Sequence, residues 1–231
     1  MKSYQNAVRF FFTAAGLALM AQSALAEGPS VSVSLTGATE YVWRGVTQSD
    51  ENPAVFVAAT VRQNGFYAGV GAENVDFLGI NTEYDLCAGW EGEVASGVTL
   101  DVGLVRYGYV DVPGGLDLDT VEVKAAVSTA FDKVAVGAAV HYTDDYFATE
   151  EPATYVELNA SVPLTDKWNL SGAVARQILE GDSGSYNTWN IGVGYAVAEN
   201  VTLGLRYHDT DGDYLGSARD GRVVLSFSVA L

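Results

Sequence analysis

A single cysteine, Cys87, is all the thiol the chain carries. That excludes an internal disulfide and leaves strand pairing and packing to hold the fold; the residue itself reads as a small side chain in a strand. Basic residues are scarce. The sequence has 12 Lys and Arg against 29 Asp and Glu, a formal net charge of -17, and a chain of that sign is a poor partner for nucleic acid. Imidazole is limited to His141 and His208. Long apolar runs are missing too. Beyond residue 26 no stretch approaches the ~20 apolar residues of a membrane-spanning helix, because Ser, Thr, Gly, Asn, Asp or Glu interrupts the apolar residues at about every second position. Past the leader, this chain can cross a membrane only as a barrel of strands.

The leader itself occupies residues 1–26. Lys2 and Arg9 give a positive start, Phe10 to Ala21 an apolar core, and Ala24-Leu25-Ala26 a small-x-small cleavage site, so the mature chain is expected to begin at Glu27 as an exported protein. Removing Lys2 and Arg9 makes the mature chain more acidic still.

From Val31 onward the dominant feature is alternation of apolar with small or polar residues, cut by turn signals. It predicts about twelve strands, near 31–43, 54–62, 66–74, 82–91, 98–108, 119–130, 133–143, 154–163, 168–178, 188–197, 200–208 and 221–231. Short connections at 63–65, 94–97, 131–133, 164–167 and 198–200 alternate with longer acidic loops at 45–53, 75–81, 109–118, 143–153, 179–187 and 209–220. The fold expected over residues 27–231 is therefore all-β, a transmembrane antiparallel up-and-down barrel with short turns and both termini on the periplasmic side. In the last strand Val223, Leu225, Phe227, Val229 and Leu231 make a lipid row, opposed by Arg222, Val224, Ser226, Ser228 and Ala230. Aromatic residues near strand ends (Tyr41, Trp43, Phe66, Tyr84, Trp90, Tyr107, Tyr142, Trp168, Trp189 and Tyr207) suit the two membrane interfaces. The competing fold, a soluble barrel or sandwich, would need a polar outer row.

Parity then nominates the lumen: Glu40, Glu73, Asp85, Glu91, Asp101, Glu122, Lys124, His141, Glu157, Arg206 and Arg222 fall on the inward rows. Carboxylates predominate, so a water-filled pore would favour cations; a packed interior of salt bridges is the other arrangement a narrow barrel allows. Asp209, Asp211 and Asp213 have alternate oxygen-ligand spacing, but Tyr214 stands where a calcium loop wants glycine, and a solvated acidic loop is the better reading. No cofactor is implied. Catalysis is not expected: both histidines fall inside, and no Gly-x-Ser-x-Gly elbow is present.

The run Glu40-Tyr41-Val42-Trp43-Arg44-Gly45-Val46-Thr47-Gln48, followed by Pro53-Ala54, resembles the opening signature of the TorF-type porins, an uncharacterised proteobacterial family. Gly65-Phe66-Tyr67-Ala68-Gly69, Asn74-Val75-Asp76-Phe77 and Glu83-Tyr84-Asp85-Leu86 are similar to the family's next blocks, as is the stretch from Tyr107 to Gly115. The likeness covers the first half of the mature chain, and the chain departs from many outer-membrane barrels in ending on Leu231 rather than Phe. It implies a porin and marks Tyr41, Trp43, Arg44, Gly45 and Gln48 as signature residues. By their own chemistry Arg44 and Gly45 read as a strand-end anchor and a sharp turn, the arginine reaching either lipopolysaccharide phosphates or lumen carboxylates.

The function expected is a small, cation-preferring outer-membrane channel of a Gram-negative bacterium for passive diffusion of ions or small solutes. Its expected partners are outer-membrane lipids, lipopolysaccharide and the barrel-assembly machinery. Two other classes stay open: a non-conducting structural or adhesive barrel, and an outer-membrane lipid hydrolase.

Overall fold

The computed structural model describes residues 28–147, 149–180 and 184–231. The leader and its cleavage site lie outside the described residues. The first strand, β1 (Ser30–Ala38), is followed by two very short ones, β2 (Val42–Trp43) and β3 (Val46–Thr47). Then come β4 (Ala54–Gln63), β5 (Phe66–Phe77), β6 (Ile80–Ala95), β7 (Val98–Tyr109), β8 (Thr120–Phe131) and β9 (Val134–Thr143). The chain ends with β10 (Ala153–Pro163), β11 (Trp168–Leu179), β12 (Tyr186–Ala198), β13 (Val201–Thr210) and β14 (Arg222–Ala230). All but β2 and β3 form one closed antiparallel barrel of twelve strands, each paired with its neighbours in the chain's order. Closure is made by β1, which pairs with β4 through Ser34↔Ala58 and with β14 through Ser34↔Ala230. A closed barrel leaves no unpaired edge.

Because the side-chain period is two, this register sends one row of each strand outward and one inward. Outward rows such as Val55, Val57 and Val61, or Val223, Leu225 and Phe227, are exposed apolar bands. An apolar outer surface is what a lipid-facing barrel presents. Among the described residues no helix is long and apolar enough to cross a membrane. Both chain ends of the barrel meet at the short-turn side, where the Leu231 N–H donates to the Val33 carbonyl at 2.8 Å and the Ala230 N–H donates to that of Asn200 at 2.9 Å.

The interior changes along the barrel axis. Toward the turns the inward residues of β1, β11, β12 and β14 are small and partly exposed, among them Ser32, Ser34, Ser171, Ala173, Gly194, Ser226 and Ser228, while Arg62, Tyr67 and Glu91 stand at that end of β4, β5 and β6. Toward the loops they are large and buried, and a core of Tyr41, Trp43, Ala54, Phe56, Val75, Ile80, Tyr107 and Leu118 fills the mouth. Tyr67, near the start of β5, lies across glycines on β6 and β7. A Cβ on Gly89 would stand 2.4 Å from the Tyr67 hydroxyl oxygen and one on Gly103 2.6 Å from it, while that hydroxyl donates to Asp101 Oδ1 at 2.9 Å. Gly103→Val is therefore expected to evict the ring and cost about 1–3 kcal/mol. Urea unfolding of the barrel in phospholipid vesicles measures it.

Three expectations are corrected here. Strand one stops at Ala38 rather than 43, because the chain leaves the wall and turns into the lumen. The long loop expected at 75–81 is a two-residue hairpin, Leu78-Gly79, with φ of 52° and 78° between the paired Phe77 and Ile80. And Tyr41, Trp43 and Tyr107 are buried inside the mouth, not seated at an interface, whereas Phe66, Tyr142, Trp168, Trp189 and Tyr207 are exposed on the outside.

Candidate functional site

The segment 39–53 between β1 and β4, here loop 1, forms the site. Val42 pairs with Thr47 and Trp43 with Val46, and Arg44-Gly45 makes the two-residue turn with φ of 48° and 85°. Positive φ at both central residues is the turn that matches strand twist in a tight hairpin, and glycine meets the requirement without strain. The hairpin base is tied down: the Gln48 N–H donates to the Tyr41 carbonyl at 2.8 Å and the Asp76 N–H to the Gln48 carbonyl at 2.8 Å. The Ser49 hydroxyl accepts from the Tyr41 N–H at 2.9 Å. The Gln48 side-chain amide donates to the Val46 and Thr47 carbonyls.

This hairpin reaches across the lumen. Arg44 donates to Glu122 Oε2 on β8 at 2.6 Å and to Gln177 Oε1 on β11 at 3.0 Å. Its guanidinium is sandwiched between the Trp43 ring, 4.1 Å away, and the Tyr155 ring of β10, 4.2 Å away. Both ion-pair side chains are 2% exposed. Burial opposes the charge on Arg44, but Glu122 beside it more than offsets this and raises its pKa above the ordinary value. Glu122 also meets Nδ1 of His141 at 3.1 Å and accepts from the Tyr107 hydroxyl at 3.3 Å. Trp43 packs edge-on against Tyr107 and Phe147 and stacks with Tyr146, the last two supplied by the loop after β9. Gly45 abuts the far wall, where a Cβ would sit 2.3 Å from Thr188 Oγ1 on β12.

A second lock holds the start of the loop. Arg222 of β14 donates to Glu40 Oε1 at 2.7 Å and to Glu51 Oε1 at 3.3 Å. Glu40 thus faces the interior from the loop and not from a strand. Lys124 pairs with Asp101, and Arg62 approaches Glu91 at 3.9 Å. Glu157 accepts from the Tyr155 hydroxyl and the Asn159 amide, and Arg206 donates to Asn190 and Ser171. Asp85 is buried beside Glu73 and Glu83. Asp209 and Asp211 are not gathered into a calcium loop: Asp209 accepts from the Tyr207 hydroxyl and the Thr210 N–H, and Asp211 from the backbone and side chain of Asn187. The Asp213 side chain lies outside the described residues.

Sequence reasoning did not single out Gln177, Tyr155 or Glu83. Tyr155 and Glu83 lie on inward rows two residues before Glu157 and Asp85, so parity carried their signal, whereas no charged residue marks the inward row of β11 on which Gln177 lies. The inward fold of loop 1 had no such signal, since alternation ends with the strand.

A closed twelve-stranded antiparallel barrel with an apolar exterior is a fold shared with outer-membrane porins. The solved KdgM porin is similar at a TM-score of 0.62 and 9% identity, over 86% of this chain and 98% of that one. The NanC porin is similar at 0.57 and 10%, over 86% and 97%, and an outer-membrane channel from Pseudomonas putida F1 at 0.52 and 10%, over 90% and 97%. No curated protein matches the sequence. The chain belongs to the Gcw_chp family, described as a bacterial protein of unknown function, whose model matches residues 22–227.

Proposed function

We propose that this protein is a small channel in the outer membrane of a Gram-negative bacterium, passing ions or small solutes by diffusion, and that loop 1 sets how far it is open. The observation that carries this reading is the contrast within the lumen: small, partly exposed residues of β1, β11, β12 and β14 line one side of the turn-side half, while Arg44 and Trp43 fill the loop-side half. An interior built only for packing would need large side chains along its whole length. The likeness of residues 40–48 to TorF-type porins belongs to the same reading. Lipids and lipopolysaccharide would cover the apolar exterior, and the barrel-assembly machinery would insert it.

Selectivity in this reading leans toward cations, less strongly than parity alone suggests. Arg44, Arg62, Lys124 and Arg222 each face a lumen carboxylate, so much of the acidic field is neutralised locally. The KdgM porin has been solved with disordered oligogalacturonate; the remaining negative charge in the present lumen favours neutral or cationic solutes over a polyanion. No reaction is assigned to the barrel.

The test is single-channel recording of the refolded mature chain in a planar bilayer, with the reversal potential taken in a salt gradient. Discrete steps with a modest cation-selective potential are expected. Silence from a barrel shown to be folded and inserted, persisting when loop 1 is deleted, would favour a non-conducting structural or adhesive role.

A further inference from the structure

Glu73, Glu83 and Asp85 form a buried group that the channel reading does not use. Glu73 on β5 stands directly opposite Glu83 on β6, and Asp85 follows two residues along the same inward row, opposite Gly71. Like charges placed directly across a strand pair repel, and here water does little to screen them: the three residues are 7%, 2% and 2% exposed. One carboxylate oxygen from each lies within 4.8 Å of the others. Among the described residues, the ion pairs of the lumen engage other carboxylates. Moreover, Glu73 Oε1, Glu83 Oε2 and Asp85 Oδ1 are each buried without a hydrogen-bond partner. Buried charges are ordinarily paired or bound to metal, so three buried carboxyl groups that each keep an unpartnered oxygen and bring one oxygen apiece together call for a cation.

We propose that Glu73, Glu83 and Asp85 hold one calcium ion in the barrel wall beside loop 1. An all-oxygen carboxylate set with no Cys or His selects a hard cation over zinc or copper. Calcium takes roughly 6–8 oxygens at about 2.3–2.6 Å in flexible geometry, whereas magnesium demands a near-ideal octahedron at about 2.0–2.1 Å and keeps several waters; three carboxylates fixed on two paired strands suit the more tolerant ion. Gly71, inward and opposite Asp85, places no side chain against the group: even a Cβ there would be 3.8 Å from Glu73 Oε2, leaving room for water to complete the coordination. The bound ion joins β5 to β6 where the Asp76 N–H holds the base of loop 1. This assignment does not depend on the barrel conducting.

The experiment is calcium titration by isothermal calorimetry on the refolded, EDTA-stripped chain in detergent micelles, followed by thermal unfolding with and without the ion. One saturable site is expected, with a Kd below about 1 mM, weaker binding of magnesium, and a higher unfolding temperature in calcium. Glu83→Gln with Asp85→Asn should weaken binding at least tenfold, and Asp211→Asn, in the acidic loop, should leave it unchanged. Glu73→Gln alone supplies the comparison if the double variant does not fold. Absence of saturable binding to the folded wild-type chain overturns the proposal, because the three groups then share protons instead. So does binding that survives in the Glu83 and Asp85 variant but is lost with Asp211→Asn.

Discussion

Arg44→Ala is expected to release loop 1 from the lumen and raise single-channel conductance severalfold. Arg44 joins the hairpin to three strands at once, through Glu122, Gln177 and the Tyr155 ring. Its removal leaves a buried carboxylate without its principal partner, a change that costs about 3–5 kcal/mol in buried ion pairs. Here about 3 kcal/mol is expected, because His141 and the Tyr107 hydroxyl remain on Glu122. Arg44→Lys should fall between alanine and wild type: a lysine keeps the charge but cannot fork between two acceptors or stack as a plane between Trp43 and Tyr155. A double-mutant cycle with Glu122→Ala should return a coupling of about 1–3 kcal/mol. Equal conductance in Arg44→Ala and wild type would mean that the arginine braces the barrel without controlling the pore.

The parts of this arrangement that were legible in the sequence are those that follow a period. Alternation located the barrel strands to within a few residues because an outward residue meets lipid and an inward one does not, so each strand of the wall carries the same pattern. The same parity points Asp85, Asp101, Glu122, Lys124, Glu157 and Arg206 inward. Where the period stops, legibility stops. The hairpin at Leu78-Gly79 was hidden because a leucine with positive φ is an uncommon turn residue, and reading 75–81 as loop placed Glu83 at the edge of its strand and out of view. For Tyr41 and Trp43 the sequence pattern points to an interface, but an aromatic ring near a strand end suits a membrane boundary and a packed mouth equally well. Only the three-dimensional path of loop 1 decides between them. Tyr107 differs: it shares the inward parity of Asp101, and that signal outweighs its position near the end of β7.

The second large effect is expected from Gly45→Val, which attacks the seat of the hairpin instead of its anchor. Gly45 holds a φ of 85°, where a branched side chain is strained by about 1–3 kcal/mol, and its Cβ would stand 2.3 Å from Thr188 Oγ1 and 3.1 Å from Thr210 Cβ. Backbone and wall therefore oppose the substitution together, and overpacking adds about 1–3 kcal/mol. The two costs rival what Arg44 contributes by holding the loop, so the hairpin should leave the lumen while the barrel stays closed, its strand pairing untouched. Trypsin reports this directly, since the bond after Arg44 is buried in the wild-type chain and becomes a cleavage site once the loop swings out. Rapid cleavage at Arg44, with raised conductance before digestion, is the expected result. Adding Thr188→Ala removes the nearest clash but neither the backbone strain nor the Thr210 contact, and should restore only part of the protection. Resistance equal to wild type would show that β12 yields around the new side chain, and that the loop is held by Arg44 and Arg222 more than by its fit against the wall.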